Sequence, residues 1–172
     1  RDQRAAALDL MRPAIEALPV MKGAFSHELG DLTSVQKQVL VERHLISREH
    51  AARGDGSAAV IERRQTFSLM LNEEDHLRMQ AIRPGLQLTA AFNALSELDT
   101  ELEESLEFAF DPTLGYLTTC PTNLGTGLPA SAMLHWPGLL LSDQPGRVLQ
   151  AVAQIALAVR GLCGEGTECL GR

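Results

Sequence analysis

Only four residues, 62–65, separate two apolar runs at positions 58–61 and 66–71, and so short a gap predicts that the runs pair as a β-hairpin. The second run alternates. Phe67, Leu69 and Leu71 fall on one side, and Thr66, Ser68 and Met70 on the other, which is the two-residue period of a strand. Around this hairpin the apolar spacing changes to helical. Leu8, Met11, Ile15 and Leu18 predict a helix over residues 5–18, kinked at Pro13. Thr33 or Ser34 can cap a second helix reaching His44, with Val35, Val39 and Leu40 as its apolar stripe. Residues 53–57 then read as a turn, and residues 88–110 as a long helix with Leu88, Phe92, Leu95, Leu102 and Ala109 opposite Glu97, Glu101 and Glu104. Residues 115–120 are a further strand candidate. Pro137 and Gly138 interrupt the apolar segment 130–141, whose state stays open, and a last helix is expected over residues 147–156.

Helices and strands mixed in this way need a shared core. With 172 residues, 45% of them hydrophobic, one domain over residues 1–172 can supply it. The formal charge of -7 argues against a broad nucleic-acid or membrane surface, so any anion site must be local. Cys120, Cys163 and Cys169 are an odd number in a chain too large to need disulfide staples, which favours reduced thiols and a cytoplasmic protein. No apolar run approaches the roughly 20 residues of a membrane span, and no secretory leader is visible. The sequence starts at Arg1 and stops at residues unlike a finished element, so a piece of a longer protein is expected.

The hairpin strand leads directly into Asn72, Glu73, Glu74, Asp75, His76, Leu77 and Arg78. A strand end can deliver at least one of these carboxylates to a pocket. There it can bind a planar guanidinium through two hydrogen bonds, orient it and accept its proton. Arg78 can grip phosphate oxygens instead. Taken alone, the run reads more simply as a solvated acidic turn with an ion pair from Glu74 or Asp75 to Arg78. Residues 123–127 offer glycine-rich backbone to an anion, and residues 125–130 match the dinucleotide fingerprint GxGxxA without its surrounding βαβ pattern. Cys120 is either a reactive thiolate or a small buried side chain. The five histidines and three cysteines lack zinc-ligand spacing, and no metal ligand is assigned.

Four segments, in this order, resemble the guanidino phosphotransferases, and among them the bacterial protein-arginine kinases. They are residues 42–47, the run 72–78, residues 115–123, and residues 159–166. Residues 84–88 lean the same way. The resemblance implies an α/β (α+β) catalytic domain, a curved antiparallel sheet flanked by helices, and transfer of the γ-phosphoryl group of MgATP to arginine side chains of proteins. ATP and Mg²⁺ are thus the implied cosubstrate and ion. Glu74 is implied as the carboxylate that orients or deprotonates the guanidinium, with Glu165 as its partner carboxylate. Cys120 matches the reactive cysteine beside the guanidinium. His44, Arg78 and Arg160 are implied at the nucleotide, as are two segments: Pro129, Ala130, Ser131, Ala132 and Met133, and Gly161, Leu162, Cys163, Gly164 and Glu165. Implied partners are arginine-containing proteins, a kinase activator or adaptor protein, and a second copy of the chain; neither nucleic acid nor membrane is expected.

Two departures bear on activity. Pro129 stands where the family carries an arginine, replacing a phosphate-gripping guanidinium with a rigid uncharged ring. The family's upstream Ser-Ser-Arg-x-Arg-type motif and the sequence after the Gly164-Glu165-Gly166 segment are also missing. An alternative function is therefore a catalytically impaired regulatory or binding module with the kinase fold.

Overall fold

The computed structural model describes residues 2–141, 145–155 and 157–159. These group into two compact units, Arg1–Ala130 and Ser131–Arg172.

The first unit is organised by the expected hairpin. β2 (Ala58–Ile61) and β3 (Phe67–Leu71) pair antiparallel with Val60 opposite Leu69. Two strands not expected from the sequence extend the sheet, β1 (Phe25–Glu28) beyond β2 and β4 (Leu77–Ala81) beyond β3, giving the order β1-β2-β3-β4. The alternation predicted for β3 holds. Ala58, Val60, Phe67, Leu69 and Leu71 share one cluster with Leu8, Met11 and Ile15 of helix α1 (Asp2–Ala17) and with Leu98 and Leu102 of helix α4 (Leu88–Glu103). Ala59, Ile61 and Met70 face a second cluster with Leu29, Leu32, Leu45 and Ile46. Covering both faces leaves Val60, Leu69 and Leu71 with no exposed surface, and each such side chain contributes about 1.5–3 kcal/mol to stability.

Pro13 lies inside α1, which runs through it without a break. Thr33 caps helix α2 (Ser34–Glu42) through a capping box with Gln36. Of the stripe expected on α2 only Leu40 packs on the core, joined by Val41, whereas Val35 is 71% and Val39 43% exposed. The one-turn helix α3 (Arg48–Ala51), capped by Ser47, follows. Helix α4 ends seven residues earlier than residue 110, because the Leu102 carbonyl accepts both the Ser105 and Leu106 N–H groups and turns the chain. A two-stranded ribbon comes next, β5 (Phe110–Asp111) with β6 (Gly115–Tyr116), shorter than the strand expected over residues 115–120.

In the second unit the proline and glycine expected to interrupt residues 130–141 instead begin helix α5 (Pro137–Leu141), and helix α6 spans Pro145–Gln154. Proline is well suited to a first helical turn, where no N–H partner is needed.

Candidate active site

The acidic run 72–78 is the β3–β4 connection. Asn72 follows the buried end of β3 at φ 59°, a left-handed conformation that asparagine tolerates better than most residues, and its N–H reaches the His76 carbonyl at 2.8 Å. The Asn72 amide then ties the turn to two other segments. Its Nδ2 donates to the carbonyls of Arg4 at 2.8 Å and Gly56 at 2.7 Å, while its Oδ1 lies 2.7 Å from His76 Nδ1. The Asn72 carbonyl accepts from Arg4 Nη2 and from the Ser57 hydroxyl.

The three carboxylates take different environments. Glu73 is buried, at 6% exposure. Its Oε1 accepts from the Ser47 hydroxyl at 2.7 Å, and its Oε2 from the Glu74 N–H at 2.6 Å and Arg78 Nη1 at 3.4 Å. Burial pushes this carboxyl up, but the Ser47 and Glu74 hydrogen bonds and the Arg78 charge outweigh it and hold it below the usual carboxylate range. The Arg78 ion pair is therefore with Glu73, not with Glu74 or Asp75 as the solvated-turn reading supposed. Asp75 Oδ1 accepts the Thr119 N–H at 2.6 Å, and the Glu74 carbonyl accepts the Thr119 hydroxyl at 3.2 Å. The Glu74 side chain is exposed and makes no hydrogen bond or ion pair among the described residues.

The Thr119 contacts bring the Cys120 loop to the turn. That loop is closed by Tyr116 and Gly125, which exchange backbone hydrogen bonds at 2.9 and 3.3 Å. Gly115, at φ 81°, makes the closure feasible, since a Cβ there would lie 2.5 Å from the Gly125 carbonyl oxygen. The Gly125 amide, which the sequence offered to an anion, is used in this closure. Cys120 is half-buried, with its Sγ 2.9 Å from the Thr122 hydroxyl, just before a 3-10 turn over Pro121–Asn123.

Between turn and loop lies a cavity of about 280 Å³ lined by Arg4, Arg53, residues 72–76 and Thr119. Arg53 Nη2 donates to the Glu73 carbonyl at 3.0 Å. His44 sits outside this cavity, at φ 57° after α2, where its carbonyl accepts from Gln80 Nε2 at 2.7 Å. Gln80 and Arg78 are two residues apart on β4 and share a face. Pro129 and Ala130 are exposed and outside regular structure at the end of the first unit, and Ser131, Ala132 and Met133 are exposed in the second. Arg160, Gly161, Leu162, Cys163, Gly164 and Glu165 lie outside the described residues. No helix follows residues 125–130 before Pro137, and among the described residues the sheet is antiparallel throughout, so the dinucleotide-binding reading fails.

Ser47, Arg4 and Arg53 have no site role assigned from the sequence, and Glu73 enters there only as one of three carboxylates that a strand end could deliver to a pocket. Their roles rest on contacts spanning 20 to 68 residues, which no local pattern announces.

The first unit is thus an antiparallel sheet covered by helices, with an acidic turn held against a cysteine loop. The chain belongs to the ATP:guanido phosphotransferase family, matching its C-terminal catalytic domain over residues 9–172. A protein-arginine kinase of Halothermothrix orenii is 50% identical over 144 residues, covering 84% of this chain and 41% of that protein. Another, from Moorella thermoacetica, is 46% identical over 173 residues, covering 99% of this chain and 49% of that protein. The chain thus spans less than half the length of these relatives. Among solved structures, the duplicated taurocyamine kinase of Schistosoma mansoni with bound transition state analog components superposes with a TM-score of 0.87 at 28% identity, covering 99% of this chain and 25% of that one. A lombricine kinase shares the fold at a TM-score of 0.82 and 24% identity, covering 99% of this chain and 50% of its own.

Proposed function

We propose that this chain is the catalytic part of an ATP-dependent kinase that transfers the γ-phosphoryl group to arginine side chains of proteins. One observation carries the reading: among the described residues the Glu74 carboxylate has no partner and borders a cavity beside the Cys120 loop, while both neighbouring carboxylates are occupied. An unpaired carboxylate facing solvent is available to a guanidinium, the one side chain whose paired N–H donors match its two oxygens.

In this reading Glu74 takes the acceptor guanidinium through charge-assisted hydrogen bonds, aims one nitrogen at the phosphoryl group and removes its proton as the bond forms. Arg78 supplies positive charge to the phosphates and Glu73 fixes its direction. Cys120 lies beside the acceptor and tunes its electrostatics. Glu165 is the second carboxylate, and Arg160, His44 and the segments 129–133 and 161–165 meet the nucleotide. Mg²⁺ arriving with ATP would supply positive charge that offsets the phosphates. Among the described residues no group of three or more His, Cys, Asp or Glu side chains is arranged to hold a metal. Pro129 slows the reaction by leaving phosphate charge unmatched.

The setting proposed is cytoplasmic, with arginine-containing proteins as acceptors and an activator or adaptor protein or a second copy as partner. Among the described residues no helix is long and apolar enough to cross a membrane. The test is incubation with MgATP and an arginine-rich protein, followed by detection of acid-labile phosphoarginine. Its formation supports the reading, and its absence while an intact relative forms it under the same conditions sinks the activity.

A further inference from the structure

Between Arg83 and Arg147 the sequence contains no lysine or arginine, yet Glu97, Asp99, Glu101, Glu103, Glu104, Glu107 and Asp111 crowd its middle. Helix α4 ends in this stretch with no basic residue in its last turn, so the negative end of its dipole adds to the carboxylates. Three aromatic rings are held beside them. Tyr116 meets Phe110 at 5.2 Å and 73°, and Phe108 at 6.3 Å and 68°, both edge-on arrangements. With Glu103, Leu106 and Glu107 they line a cavity of about 360 Å³, apart from the one beside Glu74. Phe110 is 58% exposed.

We propose that this aromatic and acidic cavity is a docking site for an arginine side chain of the acceptor polypeptide, separate from the arginine that is phosphorylated. Aromatic faces attract a cation, and the flat guanidinium stacks on them as an ammonium does not. The Tyr116 hydroxyl donates to Glu103 Oε1 at 2.8 Å and so fixes one carboxylate at the rim. That hydrogen bond, with burial, pushes the phenol up to about 12 and keeps it a neutral donor at physiological pH. Burial first, and then the nearby Glu103 charge, raise the Asp99 carboxyl. Neither Glu103 nor Glu107 has an ion pair among the described residues. Charge complementarity therefore selects a cationic occupant over an apolar one.

The choice of an acceptor polypeptide rests on the phosphotransfer reading, whereas recognition of a guanidinium does not. Calorimetry without nucleotide separates them, using a capped peptide with two arginines five residues apart and its counterpart with citrulline at both positions. The arginine peptide should bind, the citrulline peptide should not, and Phe110→Ala and Glu107→Gln should each weaken binding about fivefold. Both side chains are exposed, so neither variant disturbs the core, and thermal melting confirms that each is folded. Equal binding of the citrulline peptide, or unchanged affinity in both folded variants, overturns the docking site, the first by showing an apolar groove. Guanidinium-dependent binding without phosphoarginine formation leaves the docking site standing and counts against the kinase reading.

Discussion

Asp75 Oδ1 accepts a 2.6 Å hydrogen bond from the Thr119 backbone N–H across 44 residues of sequence, fastening the β3–β4 turn to the loop that carries Cys120. Solvent at this exposed contact reduces the roughly 1.5–3 kcal/mol of a hydrogen bond to a charged group to about 1 kcal/mol. Asp75→Ala should therefore leave the fold intact while freeing the loop. Faster amide hydrogen exchange at residues 117–123, with transfer reduced several-fold, is the expected outcome.

Glu73 and Glu74 are adjacent and should respond oppositely to the same amide substitution. Glu74→Gln leaves stability within about 0.5 kcal/mol, because the side chain is exposed and unpaired among the described residues, but should cost at least roughly 100-fold in transfer rate. Glu73→Gln has one oxygen where two serve separate donors, Ser47 on one side and Glu74 N–H with Arg78 on the other. Stranding either set should destabilise the fold by about 1–3 kcal/mol, measurable by urea denaturation. Because the folded carboxyl lies below its ordinary value, its contribution is present above the unfolded pKa and disappears as pH falls through the folded one.

Asn72 combines a left-handed backbone with side-chain bonds to three other residues. Asn72→Ala keeps the strain and strands the Arg4 and Gly56 carbonyls, so a loss of about 3–5 kcal/mol is expected. Asn72→Gly relieves only the backbone and should recover a minor part of it in the same thermal melts.

His50 is fully buried, with Nε2 at 3.0 Å from the Ala58 carbonyl and Nδ1 without a partner. Burial, only partly opposed by that hydrogen bond, lowers its pKa. Below the ordinary histidine value the unfolded chain binds a proton that the folded chain refuses, so stability is complete above about pH 6.5 and declines as pH falls beneath it. Denaturation between pH 7 and 5 should show this decline, and His50→Asn should flatten it.

Pro129→Arg places a guanidinium where the family resemblance implies one. An increase in phosphotransfer of tenfold or more is expected, with little change in melting temperature because the position is exposed. An unchanged rate would remove Pro129 as the limiting feature.

The parts of this fold visible in the sequence are those with local periodicity. The β2–β3 hairpin and its two faces follow from alternating residues 66–71, and the core face of α1 from Leu8, Met11 and Ile15. β4 carries the strand period, Leu77, Met79 and Ala81 alternating with Arg78 and Gln80, but it overlaps the acidic run 72–78, and its polar side chains are accommodated by Glu73 five residues back and by the His44 carbonyl 36 residues back. β1 is a sheet edge whose Ser26, His27 and Glu28 carry no apolar signal. At the site, the motif singled out Glu74 and Arg78, but the buried carboxylate is Glu73. Its buried charge is held by Ser47, 26 residues upstream, as well as by the adjacent Glu74 N–H and Arg78, and the Ser47 contact is the part no local pattern announces.

The Asn72 turn also has a history within each molecule. Its amide meets the Arg4 carbonyl, 68 positions earlier, so the turn reaches its final shape only after α1 has docked on the sheet. Contacts of such sequence separation form only once the chain between them has been ordered. A half-folded molecule in which α1 has not docked lacks both bonds between Arg4 and Asn72, and its acidic turn is correspondingly loose.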